Sequence, residues 1–149
     1  MEYPETFIRG ISSKSHILDG LATSEIFSFK DKPNRDDGFS ETSINWCDDE
    51  NALPFTMEQQ KDDGSHRFQY GVAIIERIYA DGLIKNPALK NIFKYERDNI
   101  PGNKYHGNLL YKHDGPQKNQ FRKLIASTLA SYAQVNPRVQ QENQSDQTI

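Results

Sequence analysis

Apolar and polar positions alternate along this chain in short runs that predict strands, and one longer run near the end repeats at helical spacing. The clearest alternation covers residues 39–47, where every second side chain would face the same side of a sheet. Residues 67–76 form a second predicted strand, and its centre is continuously apolar, which is typical of a strand covered on both faces. From 118 to 134, apolar side chains recur every three or four residues, and this spacing predicts an amphipathic helix that packs on the sheet.

Weaker patterns complete the predicted fold. Further strands are expected at 7–11, 92–96 and 104–111, and short helices at 13–20, 50–60 and 78–85. We therefore predict a single α/β domain of the α+β type, with a mixed, largely antiparallel sheet of about five or six strands. The C-terminal helix is expected to pack against this sheet.

The same patterns predict which side chains form the core. The interior should contain an aromatic residue of the alternating strand, an aliphatic residue of the apolar strand and one stripe of the last helix. We expect these residues to be buried together: Trp46, Ile74, Phe121, Leu124 and Ile125.

Length and composition divide the chain into two parts. At 149 residues it fits one domain, and residues 1–135 carry almost all of its apolar side chains. Residues 136–149 are rich in Gln, Asn, Ser and Asp, so they bury too little apolar surface to offset the entropy of ordering them. We predict a globular domain over 1–135 and a polar, disordered tail over 136–149.

Charge and cysteine usage narrow the functional classes. The formal net charge is −3, which argues against broad nucleic-acid binding because that function needs a basic surface. The only cysteine, Cys47, has no partner for an internal disulfide, and this favours a reducing compartment. The pattern of a signal peptide and any apolar run of membrane-spanning length are both missing from the sequence. We expect a cytoplasmic protein that does not enter a membrane.

Two polar side chains interrupt otherwise strand-like runs, Arg9 and His106. Each precedes a glycine, Gly10 or Gly107, that would let a ligand or another backbone approach closely. An arginine in a strand either clamps a phosphate or carboxylate or forms a buried salt bridge with an acidic loop residue. A histidine in a strand either exchanges a proton with a ligand or takes part in hydrogen bonds of the sheet. The sequence leaves both alternatives open.

The strand at 39–47 is rich in hydroxyl groups and includes the pair Thr42-Ser43. Together with Arg9 on the first strand, this pair loosely resembles the layout of ADP-ribosyltransferases. In that family an arginine, a Ser-Thr-Ser-like strand and a later Glu-x-Glu motif assemble a site for a nicotinamide dinucleotide. This chain has no Glu-x-Glu motif, so Glu76 or Glu96 would have to supply the acidic element alone.

Two functional hypotheses remain. We find no glycine-rich phosphate loop, no Gly-x-Ser-x-Gly motif and no metal-ligand spacing, and we predict neither a metal nor a cofactor. The first hypothesis is a small non-catalytic module that binds another protein, as accessory or immunity-type factors do. The second is an enzyme or sensor for a nucleotide-like anionic ligand, in which Arg9 holds the anion, Ser43 orients it and His106 donates or accepts a proton. Convergence of these side chains in one cavity would favour the second hypothesis.

Overall fold

The computed structural model describes residues 2–33, 35–114 and 119–138. In chain order the strands are β1 (Thr6–Gly10), β2 (Ile17–Leu18), β3 (Leu21–Ala22), β4 (Phe39–Trp46), β5 (Gly71–Glu76), β6 (Phe93–Arg97), β7 (His106–Lys112) and β8 (Gln134–Pro137). The helices are α1 (Ala52–Glu58), α2 (Arg77–Lys85) and α3 (Arg122–Tyr132).

Six strands form one antiparallel sheet in the order β6-β7-β4-β1-β5-β8, and β2 pairs with β3 in a separate hairpin. Every pairing within the described part of the sheet is antiparallel. The predicted α+β class, with a C-terminal helix packed beside the sheet, is therefore confirmed. Among the described residues, no helix has both the length and the apolar character needed to cross a bilayer.

The two faces of the sheet carry cores of different size. The main core lies between the sheet and the helices α2 and α3, and Trp46 and Phe7 are among its largest fully buried side chains. A smaller core on the opposite face lies under α1 and includes Ile8, Val72 and Tyr105. The sheet is thus covered on both faces at its centre, and α1 stands on the face away from the main core.

The predicted core is correct for some members and wrong for others. Trp46 and Ile125 are fully buried in the main core, and Phe121 packs against its edge. Ile74 instead packs on the opposite face beside the smaller core, because Ile75, its neighbour on the strand, already faces the main core. Leu124 is 50% exposed, since α3 turns a different stripe inward. That stripe is Ile125, Ala126, Leu129 and Ala130.

Ile74→Ala is expected to lower the free energy of unfolding by only about 1–2 kcal/mol, because a half-buried side chain loses less transfer energy than one in the main core. Ile78→Ala is the matched control, since this isoleucine is 67% exposed, and it should change stability by less than about 0.5 kcal/mol. Denaturant titration of both variants measures the two values. A loss above about 3 kcal/mol for Ile74→Ala would contradict its place at the edge of the smaller core.

The predicted helix at 13–20 is wrong. A short 3-10 turn, Lys14–His16, is followed directly by the hairpin of β2 and β3. Asp19 and Gly20 form the hairpin turn with positive φ angles of 53° and 79°. An Asp-Gly pair is a strong hairpin signal because both positions of that turn need positive φ.

One strand begins later than predicted, and the last strand was not predicted at all. β5 begins at Gly71 rather than at residue 67, so residues 67–70 belong to a loop. β8 includes Asn136 and Pro137, which pair with β5, so the sheet extends two residues past the predicted domain boundary at 135. The rest of the predicted tail, from residue 139 onward, lies outside the described residues.

Candidate functional site

Arg9, Ser43 and His106 line the same cavity, whose volume is about 370 Å³. It opens beside α1 on the face of the sheet that carries the smaller core. Strands β1 and β4 supply its floor, the end of α1 and the loop before β5 supply one wall, and the turn before β7 supplies the other. The lining residues are Ile8, Arg9, Gly10, Ser43, Ile44, Asn45, Thr56, Gln59, Arg67, Phe68, Ile100, Pro101, Gly102, Asn103 and His106.

Arg9 sits where two neighbouring strands part. The pairing of β1 with β4 ends at Ile8, and beyond that point the Arg9 guanidinium bridges the gap. Its Nη1 donates to the Ser43 carbonyl oxygen at 2.9 Å, and its Nε donates to the Ile26 carbonyl oxygen at 2.8 Å. Both bonds are charge-assisted and hold the side chain on the main-core face, because Arg9 pairs directly with Ala73 and bonds to Ile26, and both of these residues belong to the main core.

The charge of Arg9 has no counter-ion among the described residues, because no Asp or Glu forms an ion pair with it. The expected alternative of a salt bridge to an acidic loop residue is therefore wrong. Burial lowers the pKa of Arg9 to about 10, which still leaves the group charged at neutral pH. Burying a charge without an opposite charge is costly, so a cation in this state gains strongly from an anion brought close to it.

His106 presents one ring nitrogen to the protein. Its Nδ1 lies 2.8 Å from the Asp98 carbonyl oxygen and 3.5 Å from the Asp98 carboxylate. Because a carbonyl oxygen can only accept, Nδ1 carries the proton, and Nε2 is the acceptor in the neutral ring. Within the described part of the chain, Nε2 makes no hydrogen bond. In the neutral ring this nitrogen is free to accept a hydrogen bond from a ligand.

Ser43 and His106 lie on the same face of the sheet. In the β4–β7 register Asn45 is directly opposite His106, and Ser43 is opposite Asn108. Residues two apart on one strand share a face, so Ser43 and His106 are diagonal neighbours about 7–8 Å apart. The Ser43 hydroxyl has no hydrogen-bond partner among the described residues, so it is available to a molecule in the cavity.

A network of side-chain amides holds the walls of the cavity to its floor. Asn45 donates to Thr56 Oγ1 at 2.8 Å and to Gln59 Oε1 at 3.0 Å, and both acceptors belong to the α1 wall. On the opposite side, Asn103 donates to Asn45 Oδ1 at 2.9 Å. Both the amide nitrogen and the amide oxygen of Asn45 are therefore hydrogen-bonded, and they fix the two walls relative to β4. This arrangement preorganises the site.

Both glycines allow close packing by an aromatic side chain. A Cβ at Gly10 would overlap the Phe68 ring, so this glycine lets Phe68 lie over β1 as part of the cavity wall. A Cβ at Gly107 would overlap the Trp46 indole, and Gly107 does not line the cavity. Close approach by a ligand or another backbone was expected at both glycines: at Gly107 the neighbour is the Trp46 indole together with the Glu96 backbone, and at Gly10 it is the Phe68 ring.

The cavity is cationic although the whole chain carries a net charge of −3. Its described lining contains two arginines and one histidine, and no Asp or Glu. Arg67 was not predicted, because it lies in a loop where a single exposed arginine is an ordinary surface residue. The sequence offered no signal for it. Neither Glu76 nor Glu96 lines the cavity, so the acidic element of the ADP-ribosyltransferase layout is not brought to Arg9 and Ser43.

A second polar cluster, at the start of β4, contains a serine, a histidine and an aspartate. Ser40 donates its hydroxyl proton to Asp31, and its Oγ lies 2.8 Å from His113 Nδ1. Asp31 Oδ1 lies 3.4 Å from the same nitrogen. A nucleophilic triad needs the serine and the acid on different ring nitrogens and the serine proton directed at the histidine. This cluster is therefore a structural hydrogen-bond group.

The remaining candidates for chemistry are few. Burial raises the pKa of the Cys47 thiol, so the thiol is not activated as a nucleophile. In the described ranges, no group of three or more His, Cys, Asp or Glu side chains is placed to hold a metal ion. No protein-family model matches the chain, and no curated protein or solved structure is significantly similar to it.

Proposed function

We propose that this protein binds a small phosphorylated, nucleotide-like ligand in the cavity between α1 and the turn before β7. The observation that carries the proposal is a cavity lining with two arginines and one histidine and, among its described residues, no Asp or Glu. A phosphate group would supply the missing opposite charge, and the fork of the exposed Arg67 guanidinium matches its oxygens.

The rest of the lining fits the same kind of ligand. Arg67 is an exposed residue of the lining, and its side chain makes no hydrogen bond within the described part of the chain. Phe68, Ile8 and Ile100 provide apolar surface on which a flat ring can pack. A volume of about 370 Å³ lies in the range of small-molecule sites. His106 Nε2, the acceptor of the neutral ring, would accept a hydrogen bond from a hydroxyl group of the ligand.

Binding without transfer chemistry is the function that the lining favours. Glycosyl transfer from a dinucleotide, as the ADP-ribosyltransferase resemblance implies, relies on the family's acidic element. The described lining of the cavity has no carboxylate for that role. The hypothesis of a ligand sensor is therefore better supported than the hypothesis of a transferase.

Calorimetric titration tests the proposal. The purified protein should bind ribonucleoside 5′-monophosphates saturably, inorganic phosphate more weakly, and uncharged nucleosides more weakly still. Arg67→Ala should weaken nucleotide binding about tenfold or more, because a charge-assisted hydrogen bond contributes about 1.5–3 kcal/mol. Arg97→Ala is the matched control, since Arg97 pairs with Asp48 at 2.7 Å and does not line the cavity. The control should bind like the unmodified protein.

Two results would contradict the proposal. One is the absence of binding for all four nucleotides and for phosphate at millimolar concentration. The other is equal affinity of the Arg67→Ala variant and the unmodified protein, which would place any bound nucleotide outside this cavity.

A protein partner is the second candidate function, and one observation favours it. Leu18 and Leu21 flank the turn of the β2–β3 hairpin and are 67% and 70% exposed. Two neighbouring apolar side chains at a projecting tip are suited to a pocket on another protein. If nucleotides fail to bind, a Leu18→Ser, Leu21→Ser variant tests this alternative, because it should lose any stoichiometric partner that co-purifies with the unmodified protein.

A further inference from the structure

Arg138, the last described residue, connects two segments that line the cavity. Its Nη2 donates to the Met57 carbonyl oxygen at the end of α1, and its Nε donates to the Phe68 carbonyl oxygen at 3.4 Å. Thr56 of α1 and Gln59, the residue that follows α1, belong to the cavity wall, and Phe68 is part of the same wall. One side chain, from the residue that follows β8, therefore bridges both halves of that wall.

The backbone around Arg138 is itself fixed to the sheet. Its N–H donates to the Tyr70 carbonyl oxygen at 3.2 Å, and the preceding residues pair with β5. Gly71 permits this arrangement, because it has a φ of 111° and a Cβ there would overlap the backbone of Asn136 and Pro137. The guanidinium is thus presented to the wall from a strand with a defined position.

Among the described residues, few other hydrogen bonds connect the end of α1 with the segment that carries Phe68. Between Gln59 and Arg67 the chain forms a loop, which is closed by a hydrogen bond from the Arg67 N–H to the Gln59 carbonyl oxygen at 2.8 Å. An isolated bridge between Gln60 and His66 lies just inside it. The Met57 carbonyl belongs to the last turn of a short helix, where carbonyl groups need partners from outside the helix. Arg138 supplies that partner and links it to Phe68.

We infer that Arg138 is a positioning residue for the cavity: through Met57 and Phe68 it sets the separation of α1 from Phe68 and so makes ligand affinity depend on the C-terminal strand. The effect on affinity rests on the proposed function, whereas the effect on the wall does not. Arg138 does not line the cavity and acts only through the residues that it holds.

The test compares Arg138→Ala and Arg138→Lys in the full-length chain, with Arg97→Ala as control. Amide hydrogen exchange at Arg67 reports the closure of the wall, and calorimetry with ribonucleoside monophosphates reports affinity. In Arg138→Ala the Arg67 amide should exchange about tenfold faster and nucleotide affinity should fall about tenfold, while exchange in β1 and β5 stays unchanged. Arg138→Lys should show smaller changes in both exchange and affinity, because lysine still donates one charged hydrogen bond.

The outcomes separate the two proposals. Unchanged exchange at Arg67 in Arg138→Ala overturns the positioning role. Faster exchange spread over β1 and β5 also overturns it, because the residue would then stabilise the fold as a whole. Faster exchange confined to the wall, in a protein that binds no nucleotide, supports the positioning role and contradicts the proposed function.

Discussion

Replacing Gly107 with alanine is expected to lower the free energy of unfolding by about 3–5 kcal/mol, from overpacking and a lost buried hydrogen bond. Trp46 reaches across β7 at this glycine, and its Nε1 donates to the Glu96 carbonyl oxygen at 3.1 Å. A methyl group at residue 107 would overlap both the indole and that carbonyl oxygen. Either the indole moves and leaves Glu96 unpaired, or β6 separates from β7. Both changes disturb the centre of the main core, where Trp46 packs against the rings of Phe7 and Tyr95.

Gly82→Ala is the matched control for this substitution. Gly82 lies within α2, and a Cβ there meets no atom within 4 Å. Alanine should stabilise the protein by about 0.5–1 kcal/mol, because glycine costs that much inside a helix. Denaturant unfolding followed by the fluorescence of Trp46, the only tryptophan, measures both variants. If Gly107→Ala is as stable as the unmodified protein, the close approach of Trp46 to β7 is contradicted.

The elements that the sequence predicted correctly are those whose pattern is set by burial on one face. The alternation in β4 required Trp46 to face the main core and Ser43 the other side, and the structure agrees. The β2–β3 hairpin escaped prediction because Leu18 and Leu21 are exposed apolar residues, so their spacing carries no information about a buried face. The Asp19-Gly20 pair did carry the turn signal, and it should have taken precedence over the helical interpretation.

The site was predictable only in part, for a reason that lies in strand order. A polar side chain in a strand is visible in sequence, and Arg9 and His106 were found in that way. Their place in the lining of one cavity depends on β4 lying between β1 and β7, and no local pattern specifies which strands are neighbours. Arg67 and Asn103 join the cavity from loops, where polar residues are expected in any case, so sequence alone could not single them out.

Arg9→Met is expected to have two large effects. It removes both charged donors and leaves the Ile26 and Ser43 carbonyl oxygens without the partners that Arg9 supplies. The free energy of unfolding should therefore fall by about 2–4 kcal/mol. The substitution also removes a buried charge behind the cavity floor, and nucleotide affinity should therefore fall about tenfold, the equivalent of roughly 1.4 kcal/mol, because the guanidinium lies on the main-core face and acts on a ligand in the cavity through its charge alone. A typical domain is stable by about 5–15 kcal/mol, so the variant should remain folded enough for titration.

Arg77→Met is the matched control, because it separates the loss of stability from the loss of binding. Arg77 also donates from its Nε to a backbone carbonyl, that of Pro4 at 2.9 Å, but it lies away from the cavity. It should lower the unfolding free energy and leave nucleotide affinity unchanged. Arg9→Lys should fall between Arg9→Met and the unmodified protein in affinity, since the charge remains while the two-pronged geometry is lost. If Arg9→Met folds and binds nucleotide as tightly as the unmodified protein, Arg9 is only a structural bridge between β1 and β4, and the ligand is recognised elsewhere.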